Sequence, residues 1–238
     1  MINKWNFQTP SEEELHKRDR LASQLGLSPV VCLLLVQRGL TTVEEVKKFF
    51  KPSLNDLHDP FLMPDMDKAV RRLNKALGNK EKILIYGDYD VDGTTAVSLV
   101  FKYLRPYSST LDFYIPDRYD EGYGISYKGI DYAAENGVSL VISLDCGIKA
   151  IEKIEYAKQS GIDFIICDHH MPDATLPDAV AVLDAKRSDS IYPYEHLSGC
   201  GVGFKFMQAF AKSNNFPFSD LEKLLELTAV SIASDIVP

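Results

Sequence analysis

The sequence is poor in the residues that build sulfur-bound metal sites and disulfide frameworks. Its four cysteines lie far apart in the 238-residue chain, and no two of them form a Cys-x-x-Cys pair. That spacing argues against a zinc knuckle and a disulfide-stapled fold, and it favours reduced thiols in a cytoplasmic protein. The first residues lack the apolar core and cleavage site of a signal peptide, and the apolar run at residues 29–36 is too short to span a bilayer. We therefore expect no membrane association.

Positive charge is also in short supply. The chain has 26 basic and 34 acidic residues, which gives a formal net charge of −8. Because such a chain has no overall positive field, any phosphate-bearing partner has to be held by local groups or by metal. A hydrophobic content of 45% and a charged content of 25% are typical of a globular protein, and the length allows one large α/β domain or two small domains.

The stretch at residues 86–93 reads Y-G-D-Y-D-V-D-G and follows an apolar, strand-like run. Its three aspartates, Asp88, Asp90 and Asp92, occupy alternate positions at a strand-to-helix turn, where their negative charges repel one another. One acid could be a helix cap, but three favour a divalent cation with oxygen ligands. An EF-hand loop is excluded, because its twelfth position, counted from Asp88, is Leu99 and not the required glutamate.

Residues 1–80 predict a helical extension, and residues 81–238 predict a doubly wound α/β domain with a mostly parallel, five-stranded sheet. In the second part, short β-branched runs alternate with helical patterns, as in a parallel sheet that carries helices on both faces. We expect strands at 83–86, 111–116, 140–144, 164–167 and 179–183, and helices at 94–104, 128–135, 149–159, 201–212 and 219–233. The last helix is apolar on most sides, which predicts that it is buried against the sheet.

Further acids and histidines follow the other predicted strands. Asp145 ends the third strand, an Asp-His-His triplet at residues 168–170 follows the fourth, and Asp235 ends the last helix. Because open α/β sheets place ligand sites at the carboxyl ends of their strands, we expect these side chains to converge with the aspartate turn. Each of them alone could be a helix cap or a surface residue. Together, carboxylates and imidazoles suit Mn²⁺ or Mg²⁺ better than zinc.

These motifs resemble those of the DHH phosphoesterase superfamily and occur in the same order. Within it, the sequence is most similar to the RecJ family of bacterial exonucleases, which act on single-stranded DNA from the 5′ end. The closer resemblance rests on H-D-P at residues 58–60, P-x-R-x-x-E-G-Y-G at 116–124 and L-S-G-C-G-V-G-F at 197–204. Members of that family continue into a DHH-associated domain and an OB-fold, so the chain resembles the N-terminal fragment of a longer protein.

The resemblance implies a site for two Mn²⁺ or Mg²⁺ ions. In it, Asp145 bridges the two ions, Asp90 binds the first and Asp92 binds the second. His169 and Asp235 complete the ligands of the second ion. Such a pair of ions can clamp a phosphodiester and activate a water molecule, so no serine or cysteine nucleophile is expected.

Three further residues have implied roles near the ions. Asp88 either binds the first ion directly or contacts the residues that bind it. His170 contacts the substrate phosphate, and Asp168 orients an imidazole. The catalytic set implied by the resemblance is therefore Asp90, Asp92, Asp145, His169, His170 and Asp235.

Arg118, Tyr123 and the glycine loop at residues 199–203 are candidates for holding the nucleic-acid strand. Arginine can bind a phosphate through two hydrogen bonds, and an aromatic ring can stack on a base. Loop amides, here those of Gly201 and Gly203, can cradle an anion at the start of a helix. The alternatives are an ordinary ion pair for Arg118, a packed ring for Tyr123 and a simple helix start for the glycines.

The leading hypothesis is a metal-dependent 5′→3′ exonuclease for single-stranded DNA, which acts in DNA repair and recombination in the cytoplasm. A helicase or a single-strand-binding protein would be a partner of the full-length enzyme, and the fragment alone would be weakly active or inactive. One alternative is a DHH phosphodiesterase for short oligonucleotides or cyclic dinucleotides, although such relatives usually lack the helical extension. A second alternative is a non-catalytic scaffold, but scaffolds of this superfamily lose ligands that are all present here.

Overall fold

The computed structural model of the chain describes residues 9–237. The chain divides into two compact units, with the division between Leu57 and His58. The sequence predicted a domain boundary after residue 80, which is not where the two compact units divide; that domain boundary stays a prediction. Within the described range, no helix combines the length and the apolar character needed to cross a membrane.

The first unit is a small helical cluster. It contains α1 (Glu12–Leu25), α2 (Pro29–Gln37), α3 (Val43–Phe50) and a 3₁₀ turn at Leu54–Asp56. Capping boxes begin α1 and α3, because Ser11 and Thr42 each exchange hydrogen bonds with a glutamate three residues later. The helices pack around a core formed by Leu21, Cys32, Leu35, Val36 and Val46. None of the predicted site residues lies in this unit.

The second unit contains a five-stranded sheet in which every neighbouring pair of strands is parallel. The strands are β1 (Lys82–Gly87), β2 (Leu111–Tyr114), β3 (Val138–Leu144), β4 (Asp163–Cys167) and β5 (Ala181–Leu183), and their spatial order is β2-β1-β3-β4-β5. The helices are α4 (Met66–Gly78), α5 (Val91–Leu104), α6 (Tyr127–Glu135), α7 (Ile151–Gln159), α8 (Gly199–Ser213), α9 (Phe218–Glu222) and α10 (Leu225–Asp235), with 3₁₀ turns at Pro60–Leu62 and Arg105–Tyr107. The predicted α/β fold is confirmed.

Helices cover both faces of this sheet, so it is doubly wound. Helices α6 and α7 contact β3 and β4 on one face, whereas α5 and α8 contact the sheet and each other on the opposite face. In the order β2-β1-β3, the strand that follows β1 in the chain, β2, lies on one side of it, and the next strand, β3, lies on its other side. The carboxyl ends of β1 and β3 therefore flank a topological switch point, where open α/β sheets bind ligands.

The prediction for the closing helix is wrong in two respects. The predicted helix at 219–233 is two helices, α9 and α10, which are separated at Lys223 and Leu224. Helix α10 packs on α5 and α8 instead of on the sheet, and its Val230 and Ile232 are 51% and 43% exposed. The physical reason is that α8, which is buried along most of its length, already occupies that face of the sheet.

Candidate metal centre

The turn between β1 and α5 is tighter than the sequence suggested. Helix α5 begins at Val91, three positions before the predicted start, because the Asp90 side chain caps it by accepting a hydrogen bond from the Gly93 amide at 2.9 Å. A Cβ atom on Gly93 would lie 2.4 Å from the Asp88 carbonyl oxygen, so only glycine fits this turn. As a result, Asp88 and Asp92 are both buried at the carboxyl end of β1.

The Asp92 carboxylate is held by donors from two distant helices. The amides of Gly199 and Cys200, at the start of α8, donate to Oδ2 and Oδ1 at 2.7 Å each. The Ser231 hydroxyl, on α10, donates to Oδ1 at 2.7 Å. A helix N-terminus is a site of positive potential with unpaired amides, and here the anion that it binds is a side chain of the same chain.

The structure also gives Gly201 and Gly203 structural roles, and the substrate contact predicted for them stays a prediction. Both residues are buried inside the first turns of α8. The Gly201 amide donates to the Ser198 hydroxyl at 3.1 Å, and a Cβ atom on Gly203 would lie 3.0 Å from the Leu144 side chain. The two glycines therefore serve helix capping and close packing.

Three carboxylates surround one imidazole nitrogen. The Nε2 atom of His169 lies 3.1 Å from Oδ1 of Asp145 and 3.7 Å from Oδ2 of both Asp92 and Asp235. Potential ligand atoms of Asp92, His169 and Asp235 lie within 4.8 Å of one another, and so do those of Asp145, His169 and His170. The first of these groups consists of the three residues that, by the resemblance, bind the second ion and not the first.

The electrostatics of this cluster fit a cation. Burial and the nearby charges of Asp92 and Asp90 raise the pKa of Asp145 to about 10, since several carboxylates this close cannot all ionise without a counter-charge. Although Oδ1 of Asp145 is 3.1 Å from His169, it has no hydrogen-bond partner among the described residues, and neither does the buried Nδ1 of His169. Buried oxygen and nitrogen donors without partners are the expected state of metal ligands and of the groups around them.

Asp88 occupies an intermediate position. Its Oδ1 atom accepts a hydrogen bond from the Gly124 amide at 3.2 Å, whereas Oδ2 is buried and has no partner within the described part of the chain. Burial raises the pKa of this carboxyl above its usual value. Oδ1 is thus hydrogen-bonded within the protein, and Oδ2 remains available to an ion. This is compatible both with direct binding of the first ion and with contact to its ligands, the two roles expected for Asp88.

The imidazole that Asp168 contacts is that of His170. Oδ1 of Asp168 lies 2.7 Å from Nδ1 of His170, and its Oδ2 accepts from the Ile148 amide at 2.9 Å. Burial raises the pKa of Asp168, but the hydrogen bond and the charge of His170 outweigh it, so that the pKa lies below its usual value. The same hydrogen bond raises the pKa of His170, which favours its cationic form.

Tyr123 and Arg118 lie beside this pair. The Tyr123 hydroxyl lies 3.2 Å from Nε2 of His170 and 3.4 Å from the Asp145 carbonyl oxygen, and the side chain is 51% exposed. The guanidinium of Arg118 lies 5.1 Å from the ring centroid of Tyr89, and no acid within the described residues pairs with it at 4.0 Å or less. Both side chains therefore contact neighbouring residues and are still accessible to a nucleic-acid strand.

Comparison with known proteins shows which family the chain belongs to. Residues 82–232 match the DHH family, N-terminal domain, a segment that contains all the ligand candidates except Asp235. The chain belongs to the DHH family. This DHH chain is 40% identical, over 235 residues, to the single-stranded-DNA-specific exonuclease RecJ of Bacillus subtilis, and the match covers 99% of the chain and 29% of that protein. It is 31% identical over 223 residues to the exonuclease of the same name from Escherichia coli, covering 89% of the chain and 38% of that protein.

Solved structures agree on the fold. A crystal structure of exonuclease RecJ bound to manganese matches 74% of the DHH chain and 44% of its own, with 28% identity and a TM-score of 0.67. RecJ from Thermus thermophilus in complex with Mn²⁺ matches 94% of the DHH chain and 31% of its own, with 24% identity and a TM-score of 0.77. The DHH chain thus spans less than half the length of each of these relatives.

Sequence reasoning missed one buried acid of the DHH domain. Asp184 directly follows β5, is fully buried, and accepts a hydrogen bond from the Lys186 amide at 2.6 Å. Burial raises its pKa to about 7, and the Lys186 ammonium donates to the His169 carbonyl oxygen at 2.5 Å. The rule that identified Asp145, an aspartate after a strand, applies equally to Asp184 and would have found it.

Proposed function

We propose that the chain is the catalytic part of a metal-dependent nuclease that hydrolyses phosphodiester bonds in single-stranded DNA. The observation that carries this proposal is the convergence of Asp92, Asp145 and Asp235 on the Nε2 atom of His169, at 3.1–3.7 Å. Such a set of hard oxygen donors with one imidazole suits Mn²⁺ or Mg²⁺. The names of the relatives, single-stranded-DNA-specific exonucleases, supply the substrate.

The proposed ligands fall into two groups around one shared residue. Asp92, His169 and Asp235, which lie close together, would hold one ion. By the resemblance, Asp90 and Asp88 would hold the other ion, and Asp145 would be the shared ligand. When bound, the two ions neutralise charge on the phosphate and activate the attacking water. The protein contributes the positions of these ligands, and the amides of Gly199 and Cys200 in α8 hold Asp92 through two hydrogen bonds of 2.7 Å.

Three other side chains act directly on the nucleic-acid strand. His170, whose pKa is raised by its hydrogen bond to Asp168, donates a hydrogen bond from Nε2 to the scissile phosphate. Arg118 binds a neighbouring phosphate, and the exposed ring of Tyr123 stacks on a base. Of these groups, Arg118 and His170 can supply the positive charge that an acidic chain lacks overall.

The remaining features of the proposal concern the whole protein. We propose 5′→3′ digestion, a role in DNA repair and recombination, and a helicase or single-strand-binding protein as partner, on the strength of the resemblance to longer exonucleases. A cytoplasmic location is supported by four cysteines that are all free and buried. We also propose that residues 81–238 form the catalytic domain and residues 1–80 its extension.

Two measurements test the proposal. Isothermal titration of the chain with Mn²⁺ is expected to give binding that Asp92→Asn removes, whereas a chain that binds no Mn²⁺ would favour the scaffold alternative. Digestion of a 5′-phosphorylated single strand is then compared with digestion of a dinucleotide. Preference for the strand supports the exonuclease, and preference for the dinucleotide supports the phosphodiesterase for short oligonucleotides or cyclic dinucleotides.

A further inference from the structure

The loop at residues 115–126, between β2 and α6, carries two of the residues proposed to hold the nucleic-acid strand, Arg118 and Tyr123. The Arg118 guanidinium lies 5.1 Å from the ring centroid of Tyr89, which is outside the loop. The Tyr123 hydroxyl lies 3.2 Å from Nε2 of His170, which is also outside it. The position of both side chains relative to the metal centre therefore depends on what holds the loop.

The carboxylate of Glu121 holds the two ends of this loop to each other and to the sheet. The Asp117 amide, near the start of the loop, donates to Oε1 at 2.8 Å. The Ser126 hydroxyl, at the end of the loop, donates to Oε2 at 2.5 Å. The Tyr114 hydroxyl, on β2, lies 3.0 Å from Oε1 and 2.9 Å from Oε2. Donors from the strand and from both ends of the loop thus meet on one carboxylate.

Glu121 differs from an ordinary surface acid. Its side chain is half-buried, and no cationic side chain approaches it within 4.0 Å in the part of the chain that the structure describes. Burial raises the pKa of Glu121, but the hydrogen bonds from Ser126, Asp117 and Tyr114 outweigh it and leave the pKa below its usual value. Burial of a carboxylate is unfavourable unless donors replace the lost water, so the loop is most stable when these three donors converge.

The same network reaches the metal centre through Tyr86, which is buried on β1. The Tyr86 hydroxyl accepts a hydrogen bond from the Ser126 amide at 3.1 Å and lies 3.0 Å from the Gly124 carbonyl oxygen, to which it donates. The Gly124 amide donates in turn to Oδ1 of Asp88 at 3.2 Å. The end of the loop is therefore connected to a candidate metal ligand as well as to the sheet.

We propose that Glu121 is a positioning residue of the nuclease, which places Arg118 and Tyr123 for contact with the strand by closing the loop at residues 115–126. The inference rests on the proposed function and extends it to a residue that itself contacts neither the strand nor an ion. Glu121 belongs to the P-x-R-x-x-E-G-Y-G motif, together with the two residues that it places.

The charge of Glu121 alone predicts the opposite effect on binding. Removal of an acid close to a site for an anionic strand reduces repulsion and strengthens binding. If Glu121 positions Arg118 and Tyr123, its replacement by a neutral residue instead weakens binding. The sign of the change therefore distinguishes a positioning role from an electrostatic one.

Fluorescence anisotropy of the 238-residue chain with Mn²⁺ and a short, 5′-phosphorylated oligothymidylate tests the inference. The oligonucleotide carries phosphorothioate linkages, which resist hydrolysis. Glu121→Gln is expected to weaken binding about fivefold or more, because the amide cannot accept from all three donors. In a background that lacks both placed side chains, Arg118→Ala with Tyr123→Ala, the same substitution is expected to change the affinity by less than about twofold.

Glu135→Gln is the matched control, because Glu135 is exposed at the end of α6 and its substitution removes the same charge. Its affinity for the strand is expected to equal that of the wild type or to exceed it slightly. If Glu121→Gln does not fold, Tyr114→Phe, which removes one donor and keeps the ring, is expected to weaken binding about threefold or more and decides by the same comparison.

Two results would overturn the inference. One is a Glu121→Gln chain that binds the strand as tightly as the wild type. The other is an equal weakening by Glu121→Gln in the wild type and in the background without the two side chains. A wild-type chain that binds Mn²⁺ but no strand would instead contradict the proposed function, so the two failures are distinguished.

Discussion

Burial and repulsion by neighbouring acids act strongly on Asp145, whose pKa they raise to about 10. It is buried, it has a left-handed backbone conformation with φ of 61°, and its amide donates to the Cys167 carbonyl oxygen at 2.9 Å. Left-handed backbone is uncommon outside glycine, although aspartate adopts it more readily than most other residues. Here it turns the carboxylate towards His169 and the neighbouring acids.

We predict that Asp145→Asn removes Mn²⁺ binding and stabilises the metal-free chain at pH 8. The carboxyl loses its proton near pH 3.8 in the unfolded chain and near pH 10 in the folded chain, because burial raises its pKa. Between these values the folded state binds more protons, so the stability of the metal-free wild type falls as pH rises. The neutral amide avoids that loss.

Thermal unfolding with a chelator at pH 5 and pH 8, together with Mn²⁺ calorimetry, checks this prediction. Asp178→Asn, at the surface, is the control and should change neither quantity. A variant of Asp145 that is less stable than the wild type at pH 8, or that still binds Mn²⁺ normally, would contradict the role assigned to this carboxylate.

Asp168 differs from Asp145 because its carboxylate is fully supplied with donors. It accepts hydrogen bonds from the amides of Ile148, His169 and His170 and contacts the His170 ring. We predict that Asp168→Asn lowers the free energy of unfolding by about 3 kcal/mol, because a neutral amide cannot replace a charged acceptor for all these donors. The pKa is lowered in the folded state, so this stabilisation is present above pH 3.8 and is lost as pH falls further.

Urea unfolding at pH 7 and at pH 3 measures the effect, with the exposed Asp173→Asn as the control. The difference between wild type and Asp168→Asn should be large at pH 7 and shrink at pH 3. The same loss at both pH values would mean that the charge of Asp168 does not contribute.

At the scale of secondary-structure elements, the site depends on the close approach of the α8 N-terminus to two strand ends. Gly199 donates to Asp92 across the sheet edge, and a Cβ atom at Gly199 would lie 2.5 Å from the Asp145 Cβ atom. Real Cβ atoms do not approach that closely, so glycine is required for the packing of α8 against β3. The dipole of α8, aimed at Asp92, places a partial positive charge next to the acidic cluster.

We predict that Gly199→Ala weakens Mn²⁺ binding by about tenfold or more, because the added methyl group displaces Asp145 and the amide that holds Asp92. Gly201→Ala is a matched control, since a Cβ atom there would meet nothing closer than 3.4 Å. Calorimetric titration of both variants gives the comparison. Equal Mn²⁺ affinity for Gly199→Ala and Gly201→Ala would show that the approach of α8 is not needed for the metal centre.

At the scale of the whole molecule, helix α4 belongs physically with the sheet although it precedes the predicted catalytic domain. It contacts α8 and β5, and its Arg72 pairs with Glu81 at 2.7 Å and with Asp163 at 2.6 Å. Met66 and Leu73 of α4 are almost fully buried. These contacts explain why the compact unit begins at His58.

We predict that residues 58–238 fold alone and bind Mn²⁺ with the affinity of the whole chain, whereas residues 81–238 lose at least about 3 kcal/mol of stability. Removal of α4 exposes apolar surface on α8 and leaves Asp163 without its arginine. Chemical unfolding and Mn²⁺ calorimetry of the two shortened chains distinguish the cases. If both are equally stable, the boundary after residue 80 describes the folding unit and α4 is dispensable.

Most of the elements and most of the acids of the site could be predicted from the sequence. Alternation of β-branched runs and helical patterns is a local property, and it predicted strands close to those observed. Because parallel strands end at one edge of a sheet, acids that follow strands had to meet there. The role expected for Asp168 came from the family resemblance, and Asp168 does contact the ring of His170.

Only the tertiary structure decided which groups pair with which. The α8 amides serve Asp92 and not a substrate, Asp184 joins the buried acids, and α10 lies outside α8. Each outcome depends on residues far apart in the chain that compete for the same donor or the same face of the sheet. The sequence alone determined that three aspartates lie together at the β1–α5 turn. Their division into a helix cap, a carboxylate held by α8 and a half-free carboxylate came from packing, which sequence periodicity does not encode.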